Sequence, residues 1–416
     1  MIDGALAGIR VLDVSGLLPG PYASLLLADM GADVIKIEAR LGDLARQVPP
    51  MQRQRSAFFL WANRNKRSLG LNLKDARGRE LFMDLARESD VVLESFRPGR
   101  VDRMGIGPAA LRAVNPRLVY CSISGFGQTG PDAGRSGHDA TYLARSGILD
   151  LSGTEGGPPI LPPVAIADMA AGTNAALAIV AGLVGRARTG EGCTIDISLL
   201  ESALAWVGPS LTAHLAGVPA RRGKLGFTGR YPCYNVYRTA DGGYVALGVL
   251  EPVFWREFCQ AIGRSDLVGQ QFAEGEAREQ LFEALAAAIA ARSSDDWAAF
   301  FRAHDLPAEV VVDLDAALAD PHLVARGAFI VVEHPEESPQ VQVQSPLRFG
   351  SAGGDPDAPR DSAMPRPAPD LGADTRAILE DVLGLDAPAI DGLFAAKVVF
   401  STDEAARYRM VPGRID

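Results

Sequence analysis

Ile9-Arg10-Val11-Leu12-Asp13-Val14 is a short apolar run that gives way to a loop with Gly16, Pro19, Gly20 and Pro21. Tyr22 to Met30 then has helical spacing, Gly31 ends it, and Ala32 to Glu38 is again strand-like, with Val34, Ile35 and Ile37. Strand, helix and strand at this spacing form a βαβ unit, which implies a parallel sheet. The alternation continues. Arg77 to Ser89 predicts a helix, Val91-Val92-Leu93 a short buried strand, Ala109 to Val114 a helix, and Leu118 to Ile123 a strand ending at Gly125. Residues from about 7 to 125 therefore predict a doubly wound open sheet.

The remaining chain divides by a change of pattern. Ala165 to Arg188 reads as one long helix, apolar on nearly all faces and so central; Ile195 and Ile197 mark a strand, and Leu199 to Leu215 a further helix. Beyond Arg221-Arg222-Gly223-Lys224, Tyr234 to Tyr237 and Tyr244 to Val249 predict antiparallel strands joined at Ala240-Asp241-Gly242-Gly243. Helices are expected around 253–262, 278–291 and 295–304. We expect a large α/β domain over 1–215, a smaller α+β domain over 225–325, and a C-terminal segment, 330–416, returning to the large domain. That segment holds strand-like Ile330 to Glu333 and Val341 to Phe349, an aperiodic connector from Gly353 to Leu371, and helices over Asp374 to Leu383 and Ala387 to Ala396.

Composition narrows the function classes. The chain has 416 residues, enough for two or three domains at roughly 150 residues each. Its 41 basic and 51 acidic residues leave a net charge of −10, which disfavours nucleic-acid binding but permits a local basic pocket for an anionic ligand. Cys121, Cys193, Cys233 and Cys259 are dispersed, which fits reduced thiols in a cytoplasmic protein and gives no metal-ligand spacing. The N-terminus has no signal-peptide pattern. Met169 to Gly185 falls short of the usual ~20-residue apolar span and contains Thr173 and Asn174, so no membrane association is expected.

Gly125-Phe126-Gly127-Gln128-Thr129-Gly130 matches G-x-G-x-x-G, but Pro131, Asp132, Gly134 and Gly137 follow where a dinucleotide site requires a helix. We read the segment as a loop. His138 follows that loop and precedes a helical stretch from Ala140 to Leu151, which suits either a neutral base or a capping residue. Asp168 is a lone acid among small apolar residues, where it is either an N-cap of the long helix or a cleft carboxylate. Glu251 ends an apolar strand before Pro252, an ordinary place for a helix-start acid. G-x-S-x-G, P-loop and H-E-x-x-H patterns are absent.

Together these segments resemble the family III CoA-transferases, and within them the α-methylacyl-CoA racemases. The resemblance is carried by Leu6 to Asp13, Pro19-Gly20-Pro21-Tyr22-Ala23, Leu27 to Glu38, Asn63 to Ser68, Phe96 to Gly99, Ser124 to Gln128 and Arg188 to Gly192. Gly137-His138-Asp139-Ala140-Thr141-Tyr142 resembles the racemase histidine motif, Asp168 matches the family's catalytic aspartate, and Gly248 to Pro252 resembles the racemase segment whose glutamate supports the histidine. One departure is local: Ala167-Asp168-Met169-Ala170-Ala171 stands where racemases read Gly-Asp-Phe-Gly-Gly, and the glycine that follows the acid in transferases is also missing.

The resemblance implies a Rossmann-like large domain and an interlocked homodimer with the active site between subunits. It implies epimerisation of a 2-methylacyl-CoA, with His138 and Asp168 on opposite faces of the α-carbon and Glu251 holding the imidazole. Backbone N–H groups at His138-Asp139 would receive the enolate oxygen. CoA, here part of the substrate, needs cations, for which Arg40, Arg64, Lys66, Arg67 and Arg97 are the candidates; no separate cofactor or metal is expected. The alternatives are a CoA-transferase using Asp168 as nucleophile and a non-catalytic acyl-CoA-binding protein.

Overall fold

A computed structural model describes residues 4–349 and 364–401. The chain forms two compact units. One contains Met1–Leu143, Val164–Ala205 and His322–Asp416; the other contains Ala144–Pro163 and Trp206–Pro321. The second unit thus takes in 144–163, a crossing the sequence patterns did not reveal.

The first unit is built on β1 (Arg10–Asp13), β2 (Asp33–Glu38), β3 (Arg67–Leu71), β4 (Val91–Glu94), β5 (Val119–Ser124) and β6 (Thr194–Ser198). They are parallel, in the order β3-β2-β1-β4-β5-β6, and Val399–Phe400 adds antiparallel to the free edge of β3. This is the doubly wound order, so the mixed α/β reading with a large parallel sheet holds. The central strands are covered on both faces, and Val11, Leu12, Ile35, Val91, Val92, Leu93, Val119 and Ile123 are all buried; the buried polar residues Asp13, Lys36, Glu38 and Glu94 lie at or near their carboxyl ends.

On one face the core joins Leu12, Ile35, Leu69, Phe82, Leu85, Val92 and Tyr120 to Ile378, Leu379, Ile390 and Leu393. The last four come from helices Thr375–Leu383 and Ala387–Ala395, so distant sequence completes this core. Elsewhere α1 (Pro19–Asp29) packs along α3 (Ile166–Thr189), which also lies against β5 and β6. Between them in sequence, α2 (Asp139–Ser146) starts after the long glycine-rich loop.

α3 is long and apolar enough to cross a membrane by length and composition alone. It buries Ala167, Ala170, Ala171, Ala175 and Ile179 in the fold, while Leu177 and Val184 face outward at 67% and 58% exposure. The expected all-round burial is therefore corrected to one buried face. Two predicted helices are split. Gly147, at φ 87°, separates α2 from Ile148–Leu151, and Gly208-Pro209 starts a new helix, Gly208–Leu215, after Leu199–Trp206.

In the second unit, Tyr234–Arg238 and Tyr244–Gly248 pair antiparallel as expected, and Ala308–Val310 adds a third strand. Helices α4 (Pro252–Ala261), Gly275–Ala290 and Ser294–Ala303 bury Trp255, Phe258, Leu281, Leu285, Trp297 and Phe301 against it. Phe329–Val332 and Gln340–Val343 form a hairpin in the first unit; the second strand stops at Val343, shortly before Pro346, instead of running to Phe349. Much of the predicted Gly353 to Leu371 connector lies outside the described residues.

Candidate active site

In a doubly wound sheet, ligands bind beyond the carboxyl ends of the strands, where the winding direction reverses. Here that point lies between β1 and β4. The loop leaving β1 is pinned to the end of β4, with Val14 N donating to Leu93 O at 2.9 Å and Gly16 N to Ser95 Oγ at 3.2 Å. Beneath the loop lies a buried charge network. Asp13 accepts from Ser15 N at 2.9 Å and Ser24 Oγ at 2.5 Å, and Lys66 Nζ lies 3.4 Å from its Oδ2. Lys36 pairs with Asp43 at 2.9 Å and donates to Ser15 O at 3.1 Å, while Asp43 accepts from Leu17 N at 3.0 Å. Burial pushes the Lys66 ammonium down to about 7 against the pull of Asp13.

The histidine loop is tethered to this edge. Arg97, just beyond β4, donates to Ser136 Oγ at 2.6 Å. Two residues on, His138 is exposed and starts α2: its C=O accepts from Thr141 N at 2.8 Å and its N–H donates to Thr141 Oγ1 at 3.0 Å. The capping alternative is thus real for its backbone, and its imidazole makes no hydrogen bond or ion pair among the described residues. Asp168 lies in the first turn of α3 and is not its N-cap, which is Ala165. Instead Asp139 Oδ1 accepts from Ala167 N at 2.7 Å and Asp168 N at 3.3 Å. Burial, reinforced by the Asp139 charge, pushes the Asp168 carboxyl up to about 7.

Tyr142 is a site neighbour that sequence reasoning passed over, although it lies within the histidine motif. It is 4% exposed, its ring meets Phe126 edge-on at 5.3 Å, and burial and the charge of Asp168 raise its phenol. Gly125 and Gly137 are required beside it, since a Cβ on Gly137 would lie 2.7 Å from Tyr142 Cε1 and one on Gly125 would strike its hydroxyl. Glu251 stands in the second unit as the exposed N-cap of α4, its C=O accepting from Trp255 N at 3.0 Å.

The candidate cations separate. Arg64 is 2% exposed and bound to Asp29 at 2.5 Å and Gln342 at 3.0 Å. Lys66 also donates to Pro21 O at 2.9 Å and Asn63 Oδ1 at 2.8 Å. Arg67 opens β3 at the amino edge of the sheet, where it grips Asp33 at 2.7 and 3.0 Å. All three are held in ion pairs within the fold. Arg40 follows β2 with its guanidinium 5.6 Å from the Phe400 ring, and Arg97 is exposed.

A cavity of about 640 Å³ supplies cations that the motifs did not indicate. Leu73, Lys74, Arg79, Arg100, Asp102, Arg103, Met104 and Gly105, which follow the carboxyl ends of β3 and β4, line it. Among the described residues, Lys74, Arg79, Arg100 and Arg103 have no ion-pair partner. Four such cations against one carboxylate make a basin for an anion in a chain that is acidic overall. Their signal was only a cluster of basic residues after two strands.

The chain is similar to known proteins over nearly its whole length. The chain is 33% identical over 402 residues to the succinyl-CoA:glutarate CoA-transferase of Mus musculus, covering 95% of this chain and 90% of that protein. It is 36% identical over 343 residues to the α-methylacyl-CoA racemase of Homo sapiens, covering 81% and 85%. The crystal structure of a CAIB/BAIF family protein from Brucella suis superposes with a TM-score of 0.78 at 32% identity, over 91% of this chain and all of that one. Residues 6–375 match the model of CoA-transferase family III. The chain is therefore an enzyme of the family III CoA-transferase and racemase superfamily.

Proposed function

We propose that this enzyme epimerises the α-carbon of a 2-methylacyl-CoA by moving a proton between its two faces. The observation that carries the reading is the Asp168 carboxyl, pushed up to about 7 by burial and the charge of Asp139, with His138 on the adjoining loop. An α-proton beside a thioester is weakly acidic, so its removal needs a base on one face and an acid on the other, both poised near neutral pH. A carboxyl raised toward neutrality can serve in either direction. A nucleophilic aspartate, by contrast, is best kept ionised.

In this reading, His138 takes the α-proton while protonated Asp168 gives one to the opposite face, and the roles reverse for the other enantiomer. The enolate oxygen is received by backbone N–H groups at the start of α2 near Asp139. Glu251 orients the imidazole, and the chain assembles as an interlocked homodimer. The CoA phosphates fall to the cavity cations Lys74, Arg79, Arg100 and Arg103, with Arg97 and Arg40 as further candidates.

One observation favours a second reading. The glutarate CoA-transferase match extends over 95% of the chain, against 81% for the racemase. There Asp168 would attack the thioester carbonyl and carry the acyl group as an anhydride while CoA leaves.

Incubation with one enantiomer of a 2-methylacyl-CoA in D2O, without a carboxylate acceptor, separates the two. Loss of chirality with deuterium at the α-carbon is expected, and His138→Ala abolishes it. No deuterium uptake, followed by CoA transfer when free carboxylates are added, replaces the racemase reading with the transferase one.

A further inference from the structure

The start of a helix leaves N–H groups without intrahelical partners, and a side-chain oxygen from the N-cap usually takes one of them. α3 departs from this: its N-cap, Ala165, has no side-chain acceptor. The oxygen comes instead from Asp139, 28 residues earlier, which accepts from Ala167 N at 2.7 Å and Asp168 N at 3.3 Å. Asp139 is also the first residue of α2, directly after His138. A single carboxylate therefore joins the helix that begins at His138 to the helix that carries Asp168.

We propose that Asp139 is a positioning residue for the acid–base pair: its side chain ties the start of α2 to the start of α3, fixes His138 relative to Asp168, and places a negative charge beside the Asp168 carboxyl. The inference rests on the reading of His138 and Asp168 as the reacting pair, and it gives Asp139 a side-chain task beyond the backbone N–H it offers. Titratable groups on the elements around α3 are Tyr22 and Asp29 on α1, Tyr120 and Cys121 on β5, Asp196 on β6, and Asp139, Tyr142 and Arg145 on α2. Asp139 is the one whose charge disfavours ionisation of Asp168, and Tyr142 feels Asp168 in turn. Burial of Asp168 remains when the Asp139 charge is removed, so the charge and the strap are separable.

The test uses the full-length protein with 13C-labelled aspartate. The Asp168 carboxyl resonance is assigned by its loss in Asp168→Asn and titrated in wild type, Asp139→Asn and Asp139→Ser. Both Asp139 variants keep a side-chain acceptor for the α3 N–H groups and lose the charge. The expected result is a fall in the Asp168 midpoint of about one unit or more, with the melting temperature little changed. In turnover, the pH profile of kcat shifts by the same amount while KM holds. An unmoved midpoint in folded Asp139→Asn and Asp139→Ser overturns the proposal and leaves Asp139 a plain helix cap. The titration needs no turnover, so it reads out whether the reaction proves to be racemisation or CoA transfer.

Discussion

At the scale of the residue, the site works against stability. The folded Asp168 carboxyl is held at about 7, above its unfolded value, so the native state binds this proton more tightly. The associated stability is full below the unfolded carboxylate range and is lost as pH rises through about 7. Asp168→Asn, neutral at every pH, should therefore be more stable than wild type at pH 8 by about 1–3 kcal/mol, with the difference vanishing near pH 4. Urea melts at both pH values check this; a variant less stable than wild type at pH 8 refutes the raised carboxyl. The lone acid and the cost of burying it were visible in the sequence, but the added effect of the Asp139 charge was not, because Asp139 stands 29 positions away and meets Asp168 only through the fold. The ion pairs of the basic motif from Asn63 to Arg67 were hidden for the same reason. Charge is legible in a sequence, whereas its partner is not: Asp29 and Asp13 lie 35 and 53 residues before the Arg64 and Lys66 they neutralise.

At the scale of the element, what was legible follows from periodicity. The central strands are legible as short apolar runs such as Val11-Leu12 and Val91-Val92-Leu93, whereas Arg67–Leu71, which opens on Arg67-Ser68, carries no such run and was not predicted; the Ala240 to Gly243 turn joins the antiparallel pair it was expected to join. Short pieces with too little sequence to carry a period escaped, Ala308–Val310 among them. Helix-on-helix packing was also silent, yet it sets the distance between the first loop and Asp168. At Gly172, one turn after Asp168, α3 comes so close to α1 that a Cβ would lie 2.7 Å from Pro19 O and 2.8 Å from Tyr22 Cδ1. Gly172→Ala should cost about 1–3 kcal/mol by forcing the helices apart. Gly185→Ala, on the same helix with no atom within 4 Å of the new Cβ, should instead be neutral or stabilising by up to about 1 kcal/mol. Thermal melts of the pair check the contrast, and equal stability of the two variants would show that α1 and α3 are not in close contact.

At the scale of the molecule, the two units differ in how their cores are assembled. The first draws buried residues from Leu12 to Val399, so its sheet is incomplete until the end of the described chain is in place. The second takes its whole core from Cys233 to Ala308, with flanking apolar residues from Tyr231 to Val310. Segment 144–163 is held to this unit partly by ion pairs on its surface: Asp150 with Arg222 at 3.2 Å and Glu155 with Lys224 at 2.9 Å. Such pairs contribute about 0–1 kcal/mol each, small beside a core containing two fully enclosed tryptophans. A fragment spanning 225–321 should therefore fold alone and melt cooperatively, whereas a chain ending at 349 should not form a stable first unit, because Ile378, Leu379, Ile390 and Leu393 would be missing from its core. Trp255 and Trp297 report on the fragment directly, since both are buried and should emit at short wavelength until the melt exposes them. Red-shifted emission at low temperature, or a melt without a cooperative transition, would mean that the second unit depends on the rest of the chain for its core.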